Sequence, residues 1–410
     1  MRIQQANWLC SDHWQLDPIH SLSSVKSLDP ENQTPQNQGF TPQLVLIFGD
    51  TDLLKTVTPI RQLQQLYPTA YFMGCSTAGE IYDVQVRDHS LTATAIEFAT
   101  TEILGHHIYL EPQESSFTAG ARLARQLAYH PQAGCADLVH VFILSDGLHV
   151  NGSELIKGLR SELPDKVTIT GGLSGDGSRF RETLVLSDVE LGQNMIAAVG
   201  FYGADLKVGY GSIGGWTAFG PKRTVTKAKG NVLYELDGQS ALALYKKYLG
   251  AYASDLPASG LLFPLNLYHK GEAAPVVRTI LAVDEAQQNL TFAGDLPEGS
   301  VVQLMQANFN RLIDGAMAAA QNSLVTNHDL VDAAPLANHP PELAILISCV
   351  GRKLVLKQRI EEEVEGVREV IGANTVLTGF YSYGEIAPSA QGKCSELHNQ
   401  TMTITTLTEL

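Results

Sequence analysis

Polar side chains that could bind a small ligand recur directly after short apolar segments of the chain. Three of these places are glycine-rich turns, at residues 74–81, 171–177 and 379–386. Such a turn after a strand lets backbone N–H groups approach a carboxylate or a phosphate closely. Ligands of open α/β sheets also bind at the carboxyl ends of the strands. We therefore predict a shared cleft, whose candidate residues are Ser76, Thr77, Glu80, Asp146, Ser174, Asp176, Tyr381, Tyr383 and Glu385.

One arginine stands close to these turns in the predicted fold. Arg352 follows the sequence 349–351 and begins a predicted helix. Its guanidinium could clamp a ligand carboxylate through two hydrogen bonds. For an amino-acid ligand, Glu80, Asp176 or Glu385 would then contact the ammonium group. The acidic run 361–363 on the same helix is typical of a solvated face with local ion pairs.

The sequence carries no recognisable enzymatic signature. None of the glycine turns matches a dinucleotide fingerprint or a P-loop. Cys75 lacks a recognisable histidine partner, so a buried structural cysteine is favoured over a nucleophile. Ser174 does not lie in a Gly-x-Ser-x-Gly elbow. We therefore expect that the protein is not an enzyme. The alternative is an enzyme that uses Cys75 or the carboxylates.

Histidine spacing gives little support for a tetrahedral metal site. The chain has 12 histidines, but none forms the paired helical spacing of a zinc site. A single histidine can still hold a haem iron, because the porphyrin supplies the other four ligands. His398, which introduces the last predicted strand, is the preferred axial ligand, ahead of His89 and His149. The competing interpretation is a histidine that is hydrogen-bonded within the structure.

The elements that must position these residues repeat along the chain. Helices are predicted at about 53–66, 152–162 and 352–371, and each lies between apolar runs that are typical of buried strands. These strands are predicted at 44–48, 70–73, 91–98, 138–144, 167–170, 195–202, 343–348, 375–377 and 401–407. The order strand, helix, strand, glycine turn, strand thus recurs. It predicts an α/β fold of layered helices and mixed β-sheets, with two related domains built from these repeated units.

The remaining segments are less regular. A polar stretch, 21–40, reads as an exposed connector after the first residues. Between 203 and 307 we predict short strands around 276–283 and 290–292 and a helix at 241–249, and a further helix follows at 304–320. These features divide the chain into an N-terminal extension and connector (1–41), a first domain (42–232) and a second domain (233–410).

Composition limits the partners and the compartment. Acidic residues outnumber basic ones 43 to 28 in the 410 residues, which gives a formal net charge of −15. This charge repels phosphate backbones, so we expect no nucleic-acid partner. No apolar run approaches the ~20 residues of a membrane span, and the first ten residues do not resemble a secretory signal. The five cysteines contain no Cys-x-x-Cys pair, which favours reduced thiols and a cytoplasmic protein.

Taken together, these segments resemble the FIST family of sensory proteins over about residues 42–409. The resemblance rests on the blocks 349–352 (CVGR), 379–388 (GFYSYGEIAP) and 398–402 (HNQTM), and on 74–81 (GCSTAGEI) and 171–176 (GGLSGD) in the first half. It implies that 42–232 is a FIST N-terminal-like domain and 233–410 a FIST C-terminal-like domain. It also adds Asn399, in the last block, to the candidate ligand-binding residues.

The resemblance implies a ligand-sensing module in signal transduction. Many family members are fused to an output region. Here the resemblance reaches within a few residues of Leu410, so we expect a free-standing sensor that signals to a separate partner such as a histidine kinase. An amino acid or a similar small molecule is the expected ligand. Some stand-alone relatives look like haem proteins that sense nitric oxide, which makes a haem-based sensor with His398 as ligand the alternative.

Overall fold

The computed structural model of the protein describes residues 1–9, 13–20, 39–128, 137–268, 275–324, 340–389 and 394–410. Most of the predicted connector, together with Cys10 and Cys135, lies outside these residues. The described chain contains four β-sheets. Three of them are built by the repeated unit that the sequence predicts, and the fourth lies within the third unit.

The first unit begins the chain. Leu44–Gly49 forms a strand because its side chains are apolar on both faces, and all six residues are buried. The predicted single helix is two helices that are separated at Thr56, whose backbone is extended. The elements are β1 (Arg2–Trp8), β2 (Gln15–Leu16), β3 (Leu44–Gly49), α1 (Thr51–Lys55), α2 (Val57–Leu66), β4 (Tyr71–Ser76), β5 (Glu80–Tyr82), β6 (Gln85–Arg87) and β7 (Leu91–Glu97).

The second unit repeats this order with one additional helix. Its central helix is capped by Asn151, whose side chain accepts a hydrogen bond from the backbone N–H of Glu154. The elements are β8 (Glu102–Tyr109), α3 (Ser116–Ala128), β9 (Leu138–Ser145), α4 (Gly152–Glu162), β10 (Thr168–Leu173), β11 (Val185–Ser187), β12 (Glu190–Gly192) and β13 (Met195–Tyr202).

The third unit is split by a nine-stranded antiparallel sheet that follows its first strand. This inserted part comprises β15 (Thr217–Ala218), β16 (Arg223–Lys229), β17 (Val232–Leu236), β18 (Gln239–Ser240), α5 (Ala241–Leu249), β19 (Leu265–Tyr268), β20 (Val276–Arg278), β21 (Ile280–Asp284), β22 (Asn289–Phe292) and β23 (Val301–Gln306). The unit itself comprises β14 (Leu206–Ile213), α6 (Phe309–Ser323), β24 (Leu343–Cys349), α7 (Val350–Leu356), α8 (Ile360–Ile371), β25 (Val376–Ser382), β26 (Gly384–Pro388), β27 (Ser395–His398) and β28 (Met402–Glu409).

Two predictions about this third unit need correction. The predicted helix 304–320 starts too early, because 301–306 is a strand and the Asn308 side chain caps a helix that begins at Phe309. The predicted helix 352–371 is interrupted by a 3-10 segment at Lys357–Arg359.

The sequence-based boundary between 232 and 233 falls within β17, which pairs with β16 inside the nine-stranded sheet.

The three units share one topology. In each, the first two long strands are parallel: β3 with β4, β9 with β10, and β24 with β25. The last strand, β7, β13 or β28, then pairs antiparallel with the first. A parallel pair needs a helical crossover, whereas the antiparallel strand can return through a short connection. The α/β fold with mixed sheets that we predicted is thus confirmed.

Each unit donates its short hairpin to a neighbouring sheet. The hairpin β5–β6 pairs with β25 of the third unit, and β26–β27 pairs with β10 of the second unit. The hairpin β11–β12 in turn pairs with β4 of the first unit. The exchange is cyclic, so every glycine turn carries the chain from one sheet to the next.

Glycine is required in the strand before each of these turns. A Cβ atom on Gly74 would lie 2.1 Å from the carbonyl oxygen of Ile47 on the neighbouring strand. The corresponding distance is 1.8 Å both for Gly171 and Ile143 and for Gly379 and Leu346. The close approach of the two parallel strands therefore leaves no room for a side chain, which explains the glycines that the sequence repeats.

The inner faces of the three sheets meet in one core. The rings of Phe48 and Phe380, from the first and third units, lie with centroids 4.7 Å apart, and Phe142 of the second unit belongs to the same cluster. Helices α3, α4, α6 and α8 cover outer faces of two of these sheets. The carboxyl ends of the parallel strands therefore lie together at one end of this core.

Candidate ligand-binding cleft

A cleft of about 310 Å³ lies at the carboxyl ends of β3 and β4. The turn 77–80 and the loop 176–179 form two of its walls, and the start of α7 forms another. Of the residues that the sequence singled out, the structure brings Thr77, Glu80 and Asp176 together here, and His89 also lines the cleft. Its lining residues are Asp50, Thr77, Ala78, Gly79, Glu80, Asp88, His89, Asp176, Gly177, Ser178, Arg179, Val350, Lys353 and Leu354.

Glu80 is a buried carboxyl group at this cleft. It accepts hydrogen bonds from Thr77 Oγ1 at 2.6 Å and from Ser90 Oγ at 2.5 Å. Burial raises the pKa of Glu80 to about 8, although both hydroxyls and the positive charge of Lys353 act in the opposite direction. A neutral carboxyl group at pH 7 can both donate and accept a hydrogen bond.

Lys353 supplies a positive charge at the cleft that our sequence reasoning missed. Its Nζ donates a 2.8 Å hydrogen bond to the carbonyl oxygen of Ala78 and forms an ion pair with Asp88. It lies one residue after Arg352 on α7, so the two side chains leave the helix in different directions. The only sequence signal for Lys353 is its place in the first turn of a helix that follows a buried strand.

Further charged groups stand at the same cleft. Arg179 donates from Nε to the carbonyl oxygen of Asp176 at 2.8 Å. Its guanidinium also lies 3.4 Å from a carboxylate oxygen of Asp52. The Asp50 carboxylate lies 3.3 Å from Nδ1 of His89. The cleft thus presents both signs of charge within a small volume.

Asp176 organises one wall of the cleft. Its carboxylate accepts hydrogen bonds from the backbone N–H groups of Phe180 (2.9 Å), Arg181 (2.9 Å) and Glu182 (3.0 Å), and from the hydroxyl of Tyr383. The ring of Tyr383 stacks on Phe180 with centroids 4.5 Å apart. Asp176 and Tyr383 therefore fix the loop 176–182 against the core.

Replacing Asp176 with asparagine should loosen this wall. The amide cannot accept from all three N–H groups, and a lost hydrogen bond to a charged acceptor costs about 1.5–3 kcal/mol. We expect a fall of this size in the free energy of unfolding, measured by urea denaturation. The matched control is Asp52→Asn, because the Asp52 side chain is 73% exposed. Equal stability of Asp176→Asn and the control would contradict the role assigned to Asp176.

The other predicted serine and aspartate residues hold the turns and do not line the cleft. Ser76 Oγ accepts from the N–H of Leu184 at 2.8 Å, and Ser174 Oγ donates to the carbonyl oxygen of Ser145 at 3.0 Å. The buried Asp146 accepts from Leu148, His149, Thr183 and Asn194 at 2.6–3.1 Å.

Glu385 is the counterpart of Glu80 in the third unit. It accepts hydrogen bonds from Ser382 Oγ at 2.6 Å and from both N–H and Oγ1 of Thr401 at 3.1 and 3.0 Å. Burial again raises the pKa to about 8. Asn399, two residues before Thr401, is also buried, and its Oδ1 accepts a hydrogen bond from the N–H of Thr279 at 3.4 Å. Neither residue lines the cleft.

Arg352 and Tyr381 belong to a buried network that does not line the cleft. Arg352 is fully buried and donates from Nε and Nη2 to one carboxylate oxygen of Glu363 at 3.0 and 2.7 Å. Tyr381 and Ser348 donate to the other oxygen at 2.8 and 3.0 Å. The remaining donors of Arg352 reach the carbonyl oxygens of Gly214 and Leu312.

This network corrects two expectations from the sequence. All three nitrogens of the Arg352 guanidinium already have protein acceptors, so this side chain does not face a ligand. Glu363 is 0% exposed, so the acidic run is not entirely a solvated face. One carboxylate of that run points into the core instead.

The surroundings of His398 do not fit a haem ligand. Its Nε2 lies 3.1 Å from the carbonyl oxygen of Ala387, and burial lowers the pKa of the ring to about 4. The ring is thus engaged with the backbone and does not line this cleft. Within the described residues, no group of three or more His, Cys, Asp or Glu side chains is arranged to hold a metal ion.

Cys75 has the environment of a structural cysteine. It is fully buried, and burial together with the nearby Glu80 carboxyl raises the pKa of its thiol. Both effects oppose the thiolate that a nucleophile needs.

A mixed α/β core with a polar cleft at the carboxyl ends of its strands is the architecture of a ligand-binding module. Comparison with protein families identifies two domains in the chain. The FIST N domain matches residues 43–239 and the FIST C domain matches residues 241–388. The protein belongs to the FIST family. FIST domains are in general small-ligand sensory domains of signalling proteins. A search of the curated proteins found no match.

Across the described parts of the chain, no helix is long and apolar enough to cross a membrane.

Proposed function

We propose that the protein senses a small zwitterionic molecule, such as an amino acid, in the cleft beside Glu80 and Lys353. The observation that carries this proposal is the presence of a lysine, an arginine and several carboxylates around one cavity of about 310 Å³. A ligand with one carboxylate and one ammonium group matches both signs of charge. No catalytic step is proposed.

Lys353 replaces Arg352 as the contact for the ligand carboxylate. The Lys353 side chain is 17% exposed and lines the cleft. The ligand ammonium would be held by the carboxylates of Asp50 and Asp88. Glu80, which is neutral at pH 7 because of its raised pKa, would serve as a hydrogen-bonding group.

A ligand at this place would compete with an internal contact. The ion pair of Lys353 with Asp88 links α7 to the end of the hairpin β5–β6. The same hairpin is held by Arg368, which pairs with Asp83, and by Glu361, which accepts from Val86 at 3.3 Å. A ligand carboxylate that takes over Lys353 would release one of these ties. The two states of the hairpin would then differ in ligand affinity, as a signal requires.

The output of this change is read by a separate signalling protein in our proposal, for example a histidine kinase. A cytoplasmic location is supported by Cys75 and Cys349, which are buried free thiols, since such thiols persist in a reducing compartment.

Titration calorimetry with the standard amino acids tests the proposal. We expect at least one amino acid to bind. Lys353→Met should lower the affinity for that amino acid by about 10-fold or more, because a hydrogen bond to a charged group contributes about 1.5–3 kcal/mol. The control is Lys247→Met, on an exposed face of α5. Unchanged affinity in Lys353→Met would contradict the assigned site. Absence of binding together with a stoichiometric haem absorption band would favour the haem-based nitric oxide sensor instead.

A further inference from the structure

A second cavity, of about 280 Å³, lies between the repeated units and the nine-stranded sheet. One wall is the helix α4 together with β27, and the opposite wall is formed by β19, β20 and the segment 295–297. None of its residues lines the cleft beside Glu80. Its lining residues are Ser153, Ile156, Lys157, Arg160, Leu267, Val276, Arg278, Asp295, Pro297, Cys394, Ser395, Glu396 and Leu397.

The α4 side of this cavity is one face of the helix. Ser153, Ile156, Lys157 and Arg160 follow the spacing i, i+3, i+4, i+7, which places them along a single stripe. The opposing wall is mostly apolar, through Leu267, Val276 and Pro297. The cavity therefore combines an apolar body with polar groups on one side, which is typical of small-molecule sites.

The charge of the lining differs in sign from that of the whole protein. Lys157, Arg160 and Arg278 face the cavity, against the carboxylates of Asp295 and Glu396. Lys157 is paired with Asp295 at 3.1 Å. In a chain with a formal net charge of −15, this local excess of positive charge favours an anion.

Two buried polar atoms of the lining lack a partner among the described residues, Ser153 Oγ and Arg160 Nε. The other nitrogens of Arg160 are fixed, since Nη1 donates to the carbonyl oxygen of Val167 at 2.7 Å and Nη2 to Ser395 Oγ at 2.9 Å. The guanidinium is therefore held in place while its Nε–H has no acceptor. Buried donors without an acceptor are unfavourable, and a ligand oxygen would satisfy them.

We propose that this cavity is a second ligand site, which binds a small organic carboxylate with an apolar body. The carboxylate would accept from Arg160 Nε, and the apolar body would pack on Ile156, Leu267 and Val276. A ligand oxygen at the other end of the stripe would accept from Ser153 Oγ. Because the cavity is lined from both sides, the bound molecule would join the nine-stranded sheet to α4. The site is independent of the amino-acid cleft.

The test is titration calorimetry of the full chain with hexanoate and benzoate as probes, and with hexan-1-ol as the uncharged counterpart. We expect at least one of the carboxylates to bind, and hexan-1-ol to bind at least tenfold more weakly, which corresponds to about 1.4 kcal/mol. Arg160→Gln should lower the affinity for the carboxylate by a similar factor. Arg125→Gln, on the exposed face of α3, should leave this affinity unchanged. Lys353→Met should also leave it unchanged, which separates this site from the cleft.

Two further variants keep the test decisive if Arg160→Gln fails to fold. Ile156→Phe fills the cavity and should reduce carboxylate affinity in a folded protein, whereas Ser153→Ala should leave the affinity for hexanoate and benzoate unchanged, because neither probe has a second oxygen to accept from Ser153 Oγ. Absence of carboxylate binding at millimolar concentration would overturn the proposal. Equal affinity in Ile156→Phe and the unmodified protein would overturn it as well.

Discussion

Replacement of Arg352 with methionine should lower the free energy of unfolding by about 3–5 kcal/mol, the range for breaking a buried ion pair by removal of one partner. Glu363 would keep its hydrogen bonds from Tyr381 and Ser348 but would lose its counter-charge in a fully buried place. Two carbonyl oxygens, of Gly214 and Leu312, would lose their donor as well. Urea denaturation of the two proteins measures the difference.

Two comparisons show whether the pair itself is responsible. The double variant Arg352→Met with Glu363→Leu removes the isolated charge and should recover part of the loss, because an apolar replacement of a buried pair is often tolerated. Arg125→Met, which breaks the exposed pair with Glu162, should cost less than about 1 kcal/mol. A loss of that small size in Arg352→Met would show that the buried pair does not stabilise the fold.

The second large effect is a decrease in stability between about pH 6.5 and pH 8. Glu80 and Glu385 have pKa values raised to about 8 by burial, whereas in the unfolded chain they titrate at the usual 4.5. The folded state therefore binds more protons than the unfolded state over this interval. Each carboxyl group lowers the free energy of unfolding by up to about 1.4 kcal/mol per pH unit as the pH rises.

The window begins at about pH 6.5 because three histidines with lowered pKa values, His106, His140 and His398, act in the opposite sense below it. Burial lowers the pKa of His140 to about 3 and that of His398 to about 4. Their contribution to stability is lost as the pH falls below the usual 6.5 and does not change above it. Between 6.5 and 8 the two carboxyl groups thus determine the slope.

The variant Glu80→Gln with Glu385→Gln keeps the size of both side chains and removes their titration. Its stability should be nearly constant from pH 6.5 to 8, where that of the unmodified protein falls. Glu365→Gln, on the exposed face of α8, is the matched control and should retain the slope. A slope that persists in the double variant would contradict the assignment to these two carboxyl groups.

The sequence predicts the elements of this fold well where the apolar pattern has a clear helical or strand period. The helix 152–162 and the strand 195–202 agree with α4 and β13 at both ends. The strand 44–48 is one residue shorter than β3. These segments are recognisable because the apolar pattern alone decides their conformation. The predicted helix 304–320 failed where a strand and a helix adjoin, since Ala-rich and apolar residues are common to both.

Long-range pairing was beyond the sequence. The repeat was visible, but nothing local indicates that β5 leaves β4 to pair with β25, because the partner strand lies almost 300 residues away. The same reason explains the errors at the site. An arginine side chain binds carboxylates well, and the carboxylate that Arg352 binds is that of Glu363 in the next helix. Lys353 was overlooked because its position at the cleft follows from the exchanged hairpin.

Because the hairpins are exchanged cyclically, the three units depend on one another for folding. Each of the three sheets is completed by a strand pair from another unit. A gene that kept only the segment 43–239 or only 241–388 would therefore encode sheets with unpaired edges, and such edges invite aggregation. Neither segment is therefore expected to fold by itself, and a chain divided between two genes would need both products to associate.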